Sequence, residues 1–230
     1  MGNRIYDWLM EKRNPAAGLP EARLFARMLS FRSASAYWAI KDMLGLTDLK
    51  MKSLMTRYFP SALKDHDKPE CYKINFHAAV SQPFVCHCCG QAVTSKGAIK
   101  KVEVPLFQGY PTALNRQMEV DDLKGLLLSH RSSGAAETTW FANMIAVGAL
   151  GEDHLWQDLG LTGRKDVSYI LKTYFTSLFN KNTGNMKWKK FFYKQLCDLE
   201  DINVCKAPSC SACDHYTDCF GPEDAERWAA

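Results

Sequence analysis

Four cysteines near the end of the chain have the types and spacing that suit metal chemistry. Cys205, Cys210, Cys213 and Cys219 form a C-x4-C-x2-C-x5-C array within fifteen residues. In a reducing compartment, such an array is expected to hold a metal ion or an iron–sulfur cluster rather than disulfides. The two-residue gap lets two sulfurs converge from one turn, and the longer gaps let the backbone wrap the other faces of a cluster.

The spacing favours a compact, cuboidal iron–sulfur cluster over two other metal sites. Plant-type two-iron ferredoxins share C-x4-C-x2-C, but their fourth cysteine lies far away, whereas Cys219 follows at once. Structural zinc ribbons usually contain two C-x2-C pairs, and this array has one. Zinc remains the alternative on spacing alone.

Composition limits the classes of protein that the rest of the chain can represent. The 230 residues are 47% hydrophobic, which is enough for a single core and argues against disorder. The net charge of +4 is too small to indicate nucleic-acid binding. The longest apolar stretch, residues 140–150, is too short to span a membrane, and the first residues do not resemble a signal peptide. A cytoplasmic protein with reduced cysteines is therefore expected.

The hydrophobic periodicity predicts a mainly α fold, an irregular helical bundle of one domain that ends in the cysteine-rich loop. Residues 1–63 form its N-terminal helical part, 64–117 an insertion of loops or short strands, and 118–230 a helical part with the loop. Helices are predicted over residues 3–13, 20–44, 48–58, 119–130, 134–150, 152–159, 167–179 and 186–199, and a strand over 102–107.

The last predicted helix leads into the cysteine loop and carries many lysines. Five lysines and no acidic residue lie between Lys181 and Lys194, opposite the stripe of Trp188, Phe191 and Phe192. One interpretation is an ordinary solvated face. The other is electrostatic, because a four-thiolate cluster and oxyanions such as molybdate are anions that nearby lysines stabilise. Such lysines could also attract an acidic partner.

Three segments of the chain closely resemble the NifQ family. They are His154-Leu-Trp-Gln-Asp-Leu-Gly-Leu, Asn185-Met-Lys-Trp-Lys-Lys-Phe-Phe-Tyr-Lys-Gln-Leu-Cys197, and the cysteine array with Cys219-Phe-Gly-Pro-Glu223. The resemblance is strong over residues 119–224. It is weaker over 44–60, where Leu-Gly-Leu and Arg57-Tyr-Phe-Pro fit the N-terminal half of the family.

The resemblance implies a function that the cysteine spacing only permits. NifQ proteins handle molybdenum for the assembly of the nitrogenase iron–molybdenum cofactor and carry an iron–sulfur cluster that can include molybdenum. By this resemblance, Cys205, Cys210, Cys213 and Cys219 hold the cluster. Molybdate or a molybdenum–sulfur species is the cargo, and the cofactor scaffold and the nitrogenase iron protein are the partners. Neither a nucleic acid nor a membrane is expected as a partner, and no enzymatic activity is expected.

Other cysteines and histidines are secondary metal candidates. Cys197 is expected to be a buried, inert cysteine, with a spare ligand role as the alternative. His215 lies inside the array and could support or occasionally bind the metal, whereas His154 and Asp158, at i, i+4, are expected to pack. A second group could form an accessory Cys3His site around half of a zinc knuckle: Cys71, His77, Cys86 and Cys89.

A zinc-stabilised interaction module is the main alternative function. In that case the cysteine loop is a structural staple and the lysines bind a protein partner, so the chain would be colourless and would unfold on chelation. An electron-transfer ferredoxin explains less, because a ferredoxin needs little more than its cluster-binding domain.

Overall fold

Helices form most of the described backbone in this computed structural model, which confirms the predicted mainly α fold class. The described residues are 2–33, 44–65, 72–74, 84–85, 92–93, 99–100, 116–201, 210, 213–221 and 223. The chain divides into two compact units, Met1–Thr112 with Leu159–Leu161 and Ala113–Asp158 with Thr162–Ala230. Within the described ranges, no helix combines the length and the apolar character needed to cross a membrane.

In the first unit, α1 (Gly2–Glu11), α2 (Leu19–Ser33) and α3 (Asp48–Tyr58) supply a hydrophobic core. A 3-10 turn over Pro60–Ala62 follows α3. The core contains large, fully buried side chains, including Leu9, Phe25, Met28, Leu29, Met51, Leu54 and Phe59. Phe25, Met28 and Leu29 recur at i, i+3 and i+4 along α2, so burial of one apolar stripe explains the packing of this helix.

The start of α3 follows its sequence signals closely. The Thr47 hydroxyl accepts the Lys50 N–H at 3.3 Å, which is the N-cap interaction typical of a threonine just before the first turn of a helix. At the other end, the Tyr58 carbonyl accepts the Asn14 N–H at 2.8 Å, and the Asn14 amide donates to the Arg57 carbonyl at 3.1 Å. Asn14 therefore satisfies carbonyls that the last turn of α3 cannot pair itself.

Short strands occupy part of the segment for which the sequence predicts loops or short strands. The strands are β1 (Leu63–Asp65), β2 (Tyr72–Ile74), β3 (Phe84–Val85), β4 (Ala92–Val93) and β5 (Ile99–Lys100). Antiparallel β1 and β2 pair Leu63 with Ile74, and β3, β4 and β5 form an antiparallel sheet in that order. The strand predicted over 102–107, and residues 34–43 of the helix predicted over 20–44, lie outside the described residues.

The second unit contains the helices that lead to the cysteine array. They are α4 (Gln117–Ser129), α5 (Ala136–Ala149), α6 (Leu155–Asp158), α7 (Arg164–Tyr174), α8 (Thr176–Lys181), α9 (Trp188–Leu199) and α10 (Tyr216–Phe220). Helix α5 is buried over most of its length, as its Ala-rich sequence predicts. On α9, Trp188 and Phe191 are 4% exposed and Phe192 is fully buried, which confirms the predicted aromatic stripe.

One sequence prediction is wrong in this unit. The amphipathic pattern predicts a single helix over 167–179, but α7 ends at Tyr174 and α8 begins at Thr176, with Phe175 in a non-helical conformation. The Ser132 N–H donates to the Tyr174 carbonyl at 2.9 Å, and the Ser132 hydroxyl accepts the Thr176 N–H at 2.9 Å. Because a distant loop takes these two backbone groups, the helix can break while Phe175 itself stays buried.

Replacing Leu171 by Ala is expected to lower the free energy of unfolding by about 2–5 kcal/mol, because this side chain is fully buried and its removal leaves a cavity. The neighbouring Lys172 is exposed, so Lys172→Ala is the matched control. This substitution should change the free energy of unfolding by less than about 0.5 kcal/mol. Urea unfolding followed by far-UV circular dichroism measures both. Equal midpoints for the two variants would contradict the assignment of this core.

Candidate metal centre

The C-x2-C pair of the array forms one tight turn. The Cys213 N–H donates to the Cys210 carbonyl at 3.3 Å, and the Tyr216 N–H donates to the Cys213 carbonyl at 3.1 Å. Cys210 is exposed, and Cys213 is half-buried. Two thiols on one exposed turn can approach a common ion from the same side, as the two-residue spacing predicts. Cys205 lies outside the described residues.

Cys219 lies on the short helix α10, which the sequence analysis did not predict. The helix begins within the C-x5-C gap and ends at Phe220, and the rings of Tyr216 and Phe220, at i and i+4, stack with centroids 4.5 Å apart. The aromatic pair at helical spacing is the signal that could have revealed it. Asp214 precedes α10 in a turn and Gly221 follows it, as expected for those residue types.

Lys187, at the N-cap of α9, connects α10 to the helical unit. Its backbone N–H donates to the Cys219 carbonyl at 2.7 Å, and its ammonium group donates to the Thr217 carbonyl at 3.0 Å. The Cys219 carbonyl lies in the last turn of α10, whereas the Thr217 carbonyl also accepts the Gly221 N–H at 2.9 Å, so the lysine adds a second donor to it. A Cβ at Gly184 would lie 3.3 Å from Phe220 Cε1, so the glycine allows α10 to pack closely here.

Arg164, at the start of α7, binds on both sides of this connection. Its guanidinium donates to the Asn185 carbonyl at 3.3 Å and to the Met186 carbonyl at 2.8 Å. It also pairs with the carboxylate of Glu223, whose side chain is only 7% exposed, and lies 5.4 Å from the centroid of the Trp188 ring. One planar cation therefore contacts the turn before α9 and the residue three positions after α10.

The turn that Arg164 contacts is itself fixed by local bonds. The Asn182 side chain accepts the Met186 N–H at 2.8 Å and donates to the Met186 carbonyl at 2.8 Å. Asn185 has a φ of 55°, in the left-handed region that asparagine tolerates better than most residues. The residues just before Lys187 are thus held in one conformation. Sequence reasoning missed the roles of Arg164 and Glu223, although the segments that resemble the NifQ family contain Asn185 to Lys187 and Glu223.

The lysines around α9 form neither a uniformly solvated face nor a free basic patch. Lys189 pairs with Asp158, both side chains being less than a fifth exposed, and donates to the Gly151 carbonyl at 2.8 Å. Lys194 pairs with Asp198 at 2.9 Å. Lys187 and Lys189 thus attach α9 to its surroundings, whereas the Lys194–Asp198 pair lies within α9 itself and Lys190 is exposed.

A cleft of about 400 Å³ opens beside α9 and α10. Its lining includes both basic and acidic side chains, among them His154, Lys187, Lys190, Asp218 and Glu223. The His154 N–H donates to the Gln157 side chain at 3.1 Å, as expected of a residue that positions the start of α6. Because both signs of charge line the cleft, its electrostatics alone select neither an anion nor a cation.

Of the secondary metal candidates, the structure describes Cys197 and His215. Cys197 lies half-buried on α9, and His215 is exposed, with Nδ1 3.3 Å from the Asp218 carboxylate. Cys71, His77, Cys86 and Cys89 lie outside the described residues. Where the structure describes the chain, no three His, Cys, Asp or Glu side chains are close enough to hold a metal ion. Cys210, Cys213 and Cys219 therefore do not form a preassembled site by themselves.

The described fold and its C-terminal segment define a mainly helical protein with a cysteine-rich C-terminal region. A family model for NifQ matches residues 96–221, which is more than half of the chain and includes all four cysteines of the array. The chain belongs to the NifQ family, which confirms the resemblance noted in the sequence.

Individual relatives agree with this membership. The chain is 45% identical over 108 residues to Protein NifQ of Azotobacter vinelandii, a match that covers 47% of this chain and 55% of the relative. It is 45% identical over 104 residues to a Protein NifQ homolog of Sinorhizobium fredii, covering 45% of each chain. Protein NifQ of Rhodobacter capsulatus is 36% identical over 101 residues, a match that covers 44% of this chain and 56% of the relative. The chain thus spans about half the length of these curated relatives, and no solved structure matches it.

Within the matched region, a second polar network holds α9 against α4. The Glu119 carboxylate accepts hydrogen bonds from the Arg116 guanidinium and the Tyr193 hydroxyl, and Arg116 also donates to the Leu150 carbonyl at 3.4 Å. Burial acts to raise the pKa of Glu119, but the bonds from Arg116 and Tyr193 outweigh it, and the pKa is lowered. Burial and the neighbouring carboxylate raise the pKa of Tyr193. The phenol therefore stays protonated and continues to donate.

Replacing Glu119 by Gln is expected to lower the free energy of unfolding by about 1 kcal/mol at pH 7, an estimate reduced for partial exposure. A carboxylate with a lowered pKa stabilises the fold above its ordinary pKa of 4.5, and this stabilisation is lost as the pH falls through the lowered value. The difference between the two proteins should therefore shrink below pH 4.5. Urea unfolding at a series of pH values measures it, and a difference that grows on acidification would contradict the network.

Proposed function

We propose that the chain is an iron–sulfur molybdenum carrier that donates molybdenum for assembly of the nitrogenase iron–molybdenum cofactor in nitrogen fixation. Membership of the NifQ family carries this proposal, because the matched residues 96–221 include the whole cysteine array. In this role the chain binds and releases a metal species, with no side chain required as acid, base or nucleophile. It is therefore proposed to be a carrier and not an enzyme.

Cys205, Cys210, Cys213 and Cys219 are the proposed cluster ligands. Soft thiolates suit iron and sulfide-bound molybdenum, and the C-x2-C turn presents two of them together. Such a cluster would supply sulfide and thiolate coordination for molybdenum, which arrives as molybdate or a molybdenum–sulfur species.

An exposed segment also suits release of the cargo. Cys210 is exposed, and the turn to Cys213 is held by bonds within the segment itself, so it can open without disturbing the helical core. The proposed recipients are the nitrogenase cofactor scaffold protein, with the nitrogenase iron protein as an accessory partner, in the cytoplasm. A zinc-stabilised protein-interaction module is the alternative, and the metal content of the protein decides between the two.

Anaerobic purification of the full chain should yield a brown protein with about three to four irons, the stoichiometry of a cuboidal cluster. Molybdenum should appear in it and rise when molybdate is supplied during growth. Elemental analysis for iron, molybdenum and zinc, with an absorption spectrum of the same sample, measures both. Roughly one or two zinc ions per chain with no iron, even after anaerobic reconstitution, would contradict the proposed carrier function and favour the zinc module.

Replacing any one cysteine of the array by Ser should reduce bound iron severely, because each removes a thiolate ligand. Cys197→Ser is the matched control, since Cys197 lies half-buried on α9, outside the array, and the variant should retain its iron. Iron content after anaerobic reconstitution compares the five variants with the unaltered chain. If all four array variants retained a full cluster, the cysteines of the array would not be its ligands.

A further inference from the structure

Within the array, the described cysteines are held in different ways. The Cys210 carbonyl accepts a hydrogen bond from the Cys213 N–H, and the Cys213 carbonyl accepts one from the Tyr216 N–H, so both bonds are local. Cys219, in contrast, is joined through its carbonyl to Lys187, a residue 32 positions earlier in the chain. The N-cap of α9 thus binds one cysteine of the array directly, through the hydrogen bond of 2.7 Å from the Lys187 N–H to the Cys219 carbonyl.

Helix α10 needs this hold because it is too short to be stable alone. An isolated helix of five residues is strongly disfavoured in water, since each helix must overcome a costly nucleation step. The Lys187 ammonium adds a cation at its C-terminal end, where the carbonyls concentrate negative potential. Beyond the C-terminal end of α10, the ion pair between Arg164 and Glu223 holds Glu223 in place.

The two cations also depend on each other through the turn before α9. Arg164 binds the carbonyls of Asn185 and Met186, the residues that immediately precede Lys187. It therefore sets where the Lys187 backbone lies, and Lys187 sets where the Cys219 backbone lies. Neither side chain is a candidate ligand, because ammonium and guanidinium groups carry no free electron pair at neutral pH.

We propose that Lys187 and Arg164 are positioning residues that hold Cys219 against the helical unit, making it the fixed ligand around which the other cysteines of the array assemble the cluster. This inference rests on the proposed function. It assigns to two cations a role in shaping the metal site that is distinct from attracting an anionic cargo. Residues that orient a metal ligand without touching the metal typically alter metal affinity by about 10–100-fold.

The first test uses the metal-free, full-length chain, so that it does not depend on a cluster. Lys187→Met keeps the backbone bond to Cys219 but removes the bond to Thr217, and should accelerate amide hydrogen exchange of residues 216–221 by about fivefold. Arg164→Met should accelerate amide exchange of the same residues by about tenfold or more, because the Arg164–Glu223 pair is more buried than the bond from Lys187 to Thr217. Lys187→Arg should restore slow exchange, and Lys190→Met, in the first turn of α9 and exposed, is the matched control.

The second test measures the cluster after anaerobic reconstitution of the same variants. Lys187→Met and Arg164→Met should bind iron but lose it to a chelator about tenfold faster than the unaltered chain, with Cys219→Ser as the reference for loss of the ligand. Their absorption or electron paramagnetic resonance spectra should shift, whereas Lys187→Arg and Lys190→Met should match the unaltered chain. Thermal melting of each metal-free variant identifies any that unfold globally.

The outcomes separate the two proposals. If the unaltered chain binds iron, and Lys187→Met and Arg164→Met exchange amides and release iron as Lys190→Met does, the positioning role is wrong and the carrier function stands. Faster exchange without faster iron loss likewise overturns the positioning role, because the anchored helix would then be irrelevant to the metal. A chain that binds no iron overturns the proposed function, and the positioning of a cluster ligand falls with it.

Discussion

The arrangement of the C-terminal region depends on the contacts that the guanidinium group of Arg164 makes. It lies over the Trp188 ring, binds the backbone before α9 and pairs with Glu223 beyond α10. Only a planar cation with several donors can satisfy partners in these different directions at once. The buried aromatic stripe of α9 supplies the rigid surface against which this cation is held.

The helices of both units could be predicted from sequence wherever a local signal determined them. The Thr47 cap and the aromatic stripe of α9 are examples, because capping and amphipathic periodicity act within a few residues. The break at Phe175 could not be predicted, because Ser132, more than forty residues away, provides the bonds that stabilise it. A periodic apolar pattern continues through such a break, since both helices bury the same face.

The candidate site shows the same division between local and distant causes. Residue type and spacing make the four cysteines the candidate ligands, which stays a prediction, and they anticipate the turn from Cys210 to Cys213. Neither could reveal that Cys219 is attached to Lys187, because that contact requires the turn before α9 to be folded. The lysine-rich sequence of α9 indicated charge, whereas its packing shows that Lys187 and Lys189 act as donors to specific carbonyls.

The unequal exposure of the cysteines has a consequence for the chemical durability of the segment. An oxidant in solution meets the thiol of Cys210 before those of Cys213 and Cys219, which are half-buried. A sulfenic acid formed there has other thiols nearby in sequence with which to condense into a reversible disulfide, before irreversible oxidation follows. Among the described cysteines of the array, oxidation in air would therefore begin at Cys210, while the helix that carries Cys219 stays hydrogen-bonded to Lys187.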